Sequence, residues 1–265
     1  MRKIYLFFIV FLLSAIYGGI GGSLLSPDSR GDSVFAAEKG DSILVYCAAV
    51  GRVPVEELAK KFEKETGTRI EVQFGGSGTL LSNIQASGKG DLYIPIDTDY
   101  IDLLKQKQLC GEVFNIASTY PVIAVKKGNP KSVKSLKDLS SKNIRLCLAN
   151  YQVASIGRVT KEIMEKAGLW KDISANVVVT KATVTDVAND IKLGTVDAGI
   201  IWNSMMVQYA ELDKVDVPQF KGVNSILAAA VIKTSKKTET AVKFARFLQS
   251  KTGKAVFSAN GYIVK

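Results

Sequence analysis

The sequence predicts an α/β protein of two lobes facing each other across a cleft. Three observations carry this expectation: strands and helices alternate along the chain, each half repeats a strand–tight turn–helix unit, and one such turn is the glycine-rich segment Gly75–Thr79. In open α/β sheets, such turns lie at the carboxyl ends of strands, where ligands bind.

In the first half, Ser42 to Ala48 reads as a strand, and Pro54 to Thr66 as a helix with its proline near the first turn and Gly67 as its stop. Apolar residues alternate at Ile70, Val72 and Phe74, so Arg69 to Phe74 is a second strand. The turn Gly75–Thr79 follows, and Leu80, Leu81 and Ile84 then recur at helical spacing, which starts a helix close to Ser77 and carries it from Thr79 to Ala86. A short strand, Asp91 to Ile96, and a helix, Asp99 to Lys107, complete this half. In the second half, Val122 to Val125 and Ile144 to Leu148 read as strands around a short helix at Leu136 to Leu139. A helix from about Ile156 to Ala167, the β-branched run Val177 to Thr180, a helix at Val184 to Leu193 and a buried strand at Ala198 to Trp202 come next. A strand at Ile226 to Ile232 and helices at Thr238 to Gln249 and Gly253 to Ala259 end the chain.

The chemistry is constrained by what the sequence lacks. It contains no histidine, which removes the usual general base, the usual zinc ligand and any Ser-His-Asp or Cys-His pair. No nucleotide phosphate loop is present. The three cysteines, Cys47, Cys110 and Cys147, lie far apart without metal-ligand spacing, so neither a cofactor nor a disulfide framework is expected. The formal charge is +10, but the lysines are scattered and not interleaved with aromatics, which speaks against nucleic acid. A positive field that steers anions, or solubility alone, accounts for it.

Arg2 and Lys3 precede an apolar run, Ile4 to Tyr17, and small residues follow at Val34, Ala36 and Ala37. This order is that of a secretory signal, and the run is shorter than the ~20 residues of a spanning helix. Residues 1–37 are therefore expected to be a signal peptide, cut after Ala36 or Ala37, with an uncleaved anchor as the alternative. Its loss takes three basic and two acidic residues, leaving the mature chain at about +9.

The Gly-Gly-Ser-Gly-Thr turn is the first candidate site. A helix N-terminus leaves unpaired N–H groups and a partial positive charge, Gly76 gives access to the backbone, and Ser77 adds a neutral hydroxyl donor. The acidic residues Asp91, Asp97, Asp99 and Asp102 suggest a metal less well than they suggest helix capping and solvation. Gln73 and Asn83 are read as surface or packing residues, and Met205 and Met206 as core filling.

From Leu44 to Leu80, and on through Gly90-Asp91-Leu92-Tyr93-Ile94, the sequence resembles the periplasmic molybdate-binding proteins of ABC importers, within the type II periplasmic binding protein superfamily. The resemblance continues through Ser155-Ile156-Gly157-Arg158, Ala167-Gly168-Leu169-Trp170 and Asp197-Ala198-Gly199-Ile200-Ile201-Trp202, and closes at Asn260-Gly261-Tyr262. It implies a two-lobed periplasmic-binding-protein fold with the ligand cleft between lobes. Residues 38–121 plus 223–265 would form one lobe and residues 122–222 the other. It also implies an extracytoplasmic, monomeric, non-enzymatic protein that captures molybdate or tungstate for a membrane permease.

Carried over by position, the resemblance implies five contacts to the anion. A family serine falls on Val50, which keeps only its backbone N–H. Ser77 supplies the second contact, the backbone of Ile156 the third and that of Val184 the fourth. A family tyrosine falls on Trp202, whose indole N–H donates in a different direction. Arg52 is a candidate replacement for the lost hydroxyls, with a solvated arginine at a helix start as the alternative. If Arg52 enters the cleft, the expected ligand shifts to a small phosphorylated or carboxylated organic anion. An exported transferase or lyase on a similar fold is the third reading, and the missing histidine counts against it.

Overall fold

The computed structural model describes residues 41–265, and the expected signal peptide lies outside the described residues. The chain begins with β1 (Ser42–Ala48), a short 3-10 turn at Ala49–Gly51 and α1 (Arg52–Thr66). Val55, Leu58, Ala59 and Phe62 form the buried stripe of α1, at the spacing of one helix face. Gly67 ends it at φ +73°, a conformation that costs glycine nothing, and its N–H caps the Glu63 carbonyl. Then follow β2 (Arg69–Gly75), α2 (Ser77–Ser87), β3 (Leu92–Ile94), α3 (Thr98–Gln106) and β4 (Cys110–Thr119).

The chain next crosses into a second sheet through β5 (Pro121–Lys126), β6 (Leu146–Ala149), α4 (Ser155–Lys166), α5 (Trp170–Ser174) and β7 (Val177–Lys181). It continues with α6 (Val184–Leu193), β8 (Ala198–Trp202) and β9 (Leu212–Val215). It returns to the first sheet as β10 (Ser225–Ile232) and ends with α7 (Thr238–Gln249) and α8 (Lys251–Ala259).

The strand orders are β2-β1-β3-β10-β4 and β7-β6-β8-β5-β9. Each sheet joins three parallel strands to two antiparallel ones, and in each the first strand of the parallel trio lies at its centre. The result is α/β and two-lobed, with helices packed on the sheets. In the first lobe, α1 and α7 meet through an edge-to-face pair, Phe62 and Phe244, with centroids 5.2 Å apart. In the second, Val184, Val187, Ala188 and Ile191 bury one face of α6.

Three elements were not anticipated. β4 lacks an alternating pattern because only its end from Ile116 on is continuously buried. β9 is a four-residue edge strand with two charges, Asp213 and Lys214, and α5 is little more than one turn. The strand expected at Ile144 to Leu148 is Leu146–Ala149, and the helix expected at Leu136 to Leu139 is a 3-10 turn at Lys137–Ser140.

The two lobes are joined where β4 runs through Tyr120 into β5, and again between β9 and β10. Close to the first crossing, Ser118 and Ile263 exchange two backbone hydrogen bonds of 2.8 Å, which ties the end of the chain to the hinge. Among the described residues, no helix is long and apolar enough to cross a membrane.

Candidate functional site

A small cavity lies where the two lobes meet. The first lobe lines it with Val50, Gly76, Ser77 and Ile96, and the second with Ser155, Ile156, Thr183, Val184 and Trp202. Its volume is about 20 Å³, which admits a small compact solute and no large organic one. Among the described residues, no charged side chain lines it.

Its donors come from helix ends. Ser77 opens α2, Ser155 and Ile156 open α4, and Val184 opens α6, so three N-termini of 10–12-residue helices converge on one spot. Neither α2 nor α4 has a side chain capping its first turn, since the cap positions are Gly76 and Ala154. Apart from the Gly78 N–H, which donates to the Val153 carbonyl, their early N–H groups are therefore available to a ligand, together with the positive end of each helix dipole. In α6, Thr183 takes the Asp186 N–H with its hydroxyl oxygen and leaves the Val184 end of the helix at the cavity.

Ser77 is buried at 1% exposure and is held from several sides. Its hydroxyl oxygen accepts from the Ile96 N–H (3.3 Å), and its carbonyl accepts from the Tyr93 hydroxyl (2.7 Å). Ser155 of the second lobe reaches the Ser77 hydroxyl at 3.1 Å and donates to the Ile96 carbonyl. Because Ser155 spends its proton on that carbonyl, the bond between the two hydroxyls uses the Ser77 proton, which a ligand in the cavity would take over. Val50 is fixed by the Tyr262 hydroxyl, which donates to its carbonyl at 2.8 Å. Trp202, at the end of β8 and only 1% exposed, closes the far wall.

The glycines of the turn have a role the sequence did not show. A Cβ on Gly76 would lie 2.5 Å from the Val153 carbonyl oxygen and 2.8 Å from that of Ala182. One on Gly78 would lie 3.1 Å from the Gln152 carbonyl oxygen, and the Gly78 N–H donates to Val153 at 3.0 Å. The backbone that approaches these glycines belongs to the second lobe, so they permit the lobes to meet.

Six of the seven residues singled out from the sequence therefore come together: Val50, Gly76, Ser77, Ile156, Val184 and Trp202. Arg52 does not join them. Its guanidinium pairs with Glu56 one turn along α1 (3.0 Å) and lies 4.2 Å from the centre of the Phe74 ring, half exposed. Gln73 and Asn83 line a separate depression on the first lobe, and Met205 is buried in the core. Of the acidic residues, Asp91 accepts from the Leu44 N–H and the Ser235 hydroxyl, Asp102 pairs with Lys105, and Asp97 and Asp99 pair with Arg158.

Cys47 and Cys147 are buried in β1 and β6, and burial pushes both thiols up, Cys147 to about 12, which keeps them in the inert neutral form.

Sequence reasoning missed Ser155, Thr183 and Ile96. Ser155 reads as an ordinary helix cap, yet the cap is Ala154 and Ser155 is the first helical residue. A serine at a helix start in each half, Ser77 and Ser155, was the signal available.

A family model described as bacterial extracellular solute-binding protein matches residues 43–263. A putative binding protein of Haemophilus influenzae is 26% identical over 87% of this chain and 94% of its own length. A molybdate-binding protein of Mycobacterium bovis is 27% identical, covering 83% and 84%. Among solved structures, the periplasmic molybdate-binding protein of Azotobacter vinelandii aligns with a TM-score of 0.71 at 20% identity, over 84% of this chain and 99% of its own. A periplasmic thiamin-binding protein aligns at 0.76 and 15% identity, over 86% and 84%. The fold is thus shared by binders of quite different solutes.

Proposed function

Because the chain belongs to the family of bacterial extracellular solute-binding proteins, we propose that its solute is a tetrahedral oxyanion, molybdate or tungstate, captured outside the cytoplasm and passed to the membrane permease of an ABC importer. One observation carries this reading: three helix N-termini and the Ser77 hydroxyl converge on one small void, with no charged side chain among the described residues in its wall.

The mechanism follows from the division of donors. α2 and Ser77 belong to the first lobe, while α4, α6 and Trp202 belong to the second. An anion bound by both sets interacts more strongly with the closed arrangement than with the open one and shifts the equilibrium toward closure. Neutral donors hold a dianion through charge-assisted hydrogen bonds without a side-chain cation that would itself need desolvation. A small wall of neutral donors supports a compact anion, and it gives no basis for separating molybdate from tungstate. The similarity to a molybdate-binding protein across most of both chains supports the same class of ligand. The alternative, a larger organic phosphate or carboxylate held by Arg52, loses its main support because that side chain is engaged with Glu56 and Phe74 outside the cavity.

The test is a thermal-shift panel on the mature protein, freed of ligand by unfolding and refolding, with molybdate, tungstate, sulfate, phosphate and several small organic phosphates. Ligand at a hundred times its dissociation constant stabilises by ~2.7 kcal/mol. Stabilisation by molybdate and tungstate, and not by sulfate, is the expected outcome. A response confined to an organic phosphate would overturn the assignment while leaving the family intact.

A further inference from the structure

The segments that meet inside the cavity meet a second time at its rim, through opposite chemistry. Arg158 lies one turn into α4, just past Ser155 and Ile156, and its side chain leaves the second lobe and lands on the first. One terminal nitrogen pairs with Asp97, and the other with Asp99 at 2.7 Å. The guanidinium carbon sits 6.0 Å from the centre of the Tyr100 ring, and Glu162, on α4 itself, steadies the group from behind at 2.5 Å.

Asp97 is prepared for this partner. Its backbone stands at φ +90°, which an aspartate holds only where its surroundings fix it. Here its N–H donates to the Ile226 carbonyl at 2.8 Å, and one carboxylate oxygen caps α3 through the Asp99 N–H, leaving the other for Arg158. Ile96, the residue before it, is cavity wall and accepts the Ser155 hydroxyl. Residues 96–99 of one lobe and 155–158 of the other are therefore joined by a neutral contact within and a charged one at the edge.

We propose that Arg158 and Asp97, with Asp99, form an interlobe latch: a positioning pair that touches no ligand but sets how long the closed, anion-holding state persists. This rests on the solute-binding reading above. When the lobes part, both charges regain water. Burial pushes the Asp97 carboxyl up, and the attraction of Arg158 pulls it back only in part. The carboxylate therefore gains from its return to water, which lets the pair break as well as form on each cycle. Among the described residues the Arg158 Nε is buried without a partner, so both ion pairs to the first lobe come from the two terminal nitrogens.

The experiment compares the mature protein with Arg158→Gln, Asp97→Asn, the double variant and Arg158→Lys. Molybdate release is followed by stopped-flow tryptophan fluorescence. In the anion-free proteins, hydrogen exchange is followed at the Gly78 amide, whose bond to Val153 spans the lobes. Either single substitution should speed both release and Gly78 exchange by about 10- to 100-fold, with association changed far less. The double variant should be no worse than Arg158→Gln, and Arg158→Lys should restore part of the effect. Unchanged Gly78 exchange, or effects of the two substitutions that simply multiply, would overturn the latch. If molybdate does not bind the unaltered protein, the anion assignment fails, and Gly78 exchange still judges the latch.

Discussion

The wall of the cavity and its rim share two segments, residues 96–99 and 155–158, yet they differ in every electrostatic respect. In the wall, Ser77, Ile96, Ser155 and Ile156 offer hydroxyls, peptide groups and helix ends, with no charged side chain. Three residues beyond Ser155, at the rim, Arg158 meets Asp97, Asp99 and Glu162. Burial works against the arginine's charge, but the three carboxylates outweigh it and hold the guanidinium above its ordinary value. The difference teaches that the two regions divide the work of closure: the wall draws the lobes together on the ion, and the rim holds them there. Fixed neutral donors suit an ion that must be held without a permanent counter-charge, whereas charged partners suit a contact that must come apart in water.

Three substitutions test that division. The largest effect is expected from Gly76→Ala, which touches neither hydroxyl nor charge. Its backbone (φ −67°) accepts alanine, but the new methyl would run into the Val153 and Ala182 carbonyls of the other lobe. Affinity for the anion, measured by titration calorimetry, should fall by about 3 kcal/mol, roughly 100-fold, with the circular dichroism spectrum unchanged. Unaltered affinity would mean that the lobes need not meet here. Ser77→Ala should cost about 2 kcal/mol of binding; it also removes the 3.1 Å contact to Ser155 across the lobes, so Gly78 exchange in the anion-free protein should rise, but by less than in Arg158→Gln. A loss of closure as large as that of Arg158→Gln would erase the distinction between wall and rim. Arg52→Ala should do least. Its ion pair is exposed and within one helix, so stability should change by less than about 1 kcal/mol and anion affinity by less than about twofold. A large loss of affinity would bring Arg52 back into the site.

Much of this could be read from the sequence because its signals are local. The strand, Gly-Ser turn and helix around Ser77 lie within twenty residues, and the apolar periodicities of β1, α1, β2 and α2 stand in the open. What stayed hidden was set by distant partners. β4 is held by β10 across a register shift between Leu227 and Ala228, and half of it faces solvent, so no two-residue rhythm marks it. Ser155 gains its place from Ile96 and Ser77 across the cleft. Arg158 and Asp97 each have an ordinary local reading, a helix-face cation and a helix cap, and only the closed arrangement of lobes makes them a pair. Gly76 reads locally as an opening for a ligand, and nothing local shows that the second lobe's backbone also fills the space beside it and Gly78.

The threading of the chain also bears on how the protein is made. The second sheet is assembled from one continuous stretch, Pro121 to Val215, whereas the first needs β10 to arrive between β3 and β4, pairing Ser225 with Thr119 about a hundred residues earlier. During synthesis or on emergence from a secretion channel, the second lobe has all its strands while the first still presents two unpaired edges. The first lobe, with its Ser77 turn, is therefore the last part of the molecule to mature, and any nascent chain stopped short of residue 225 carries an incomplete sheet and no binding cleft.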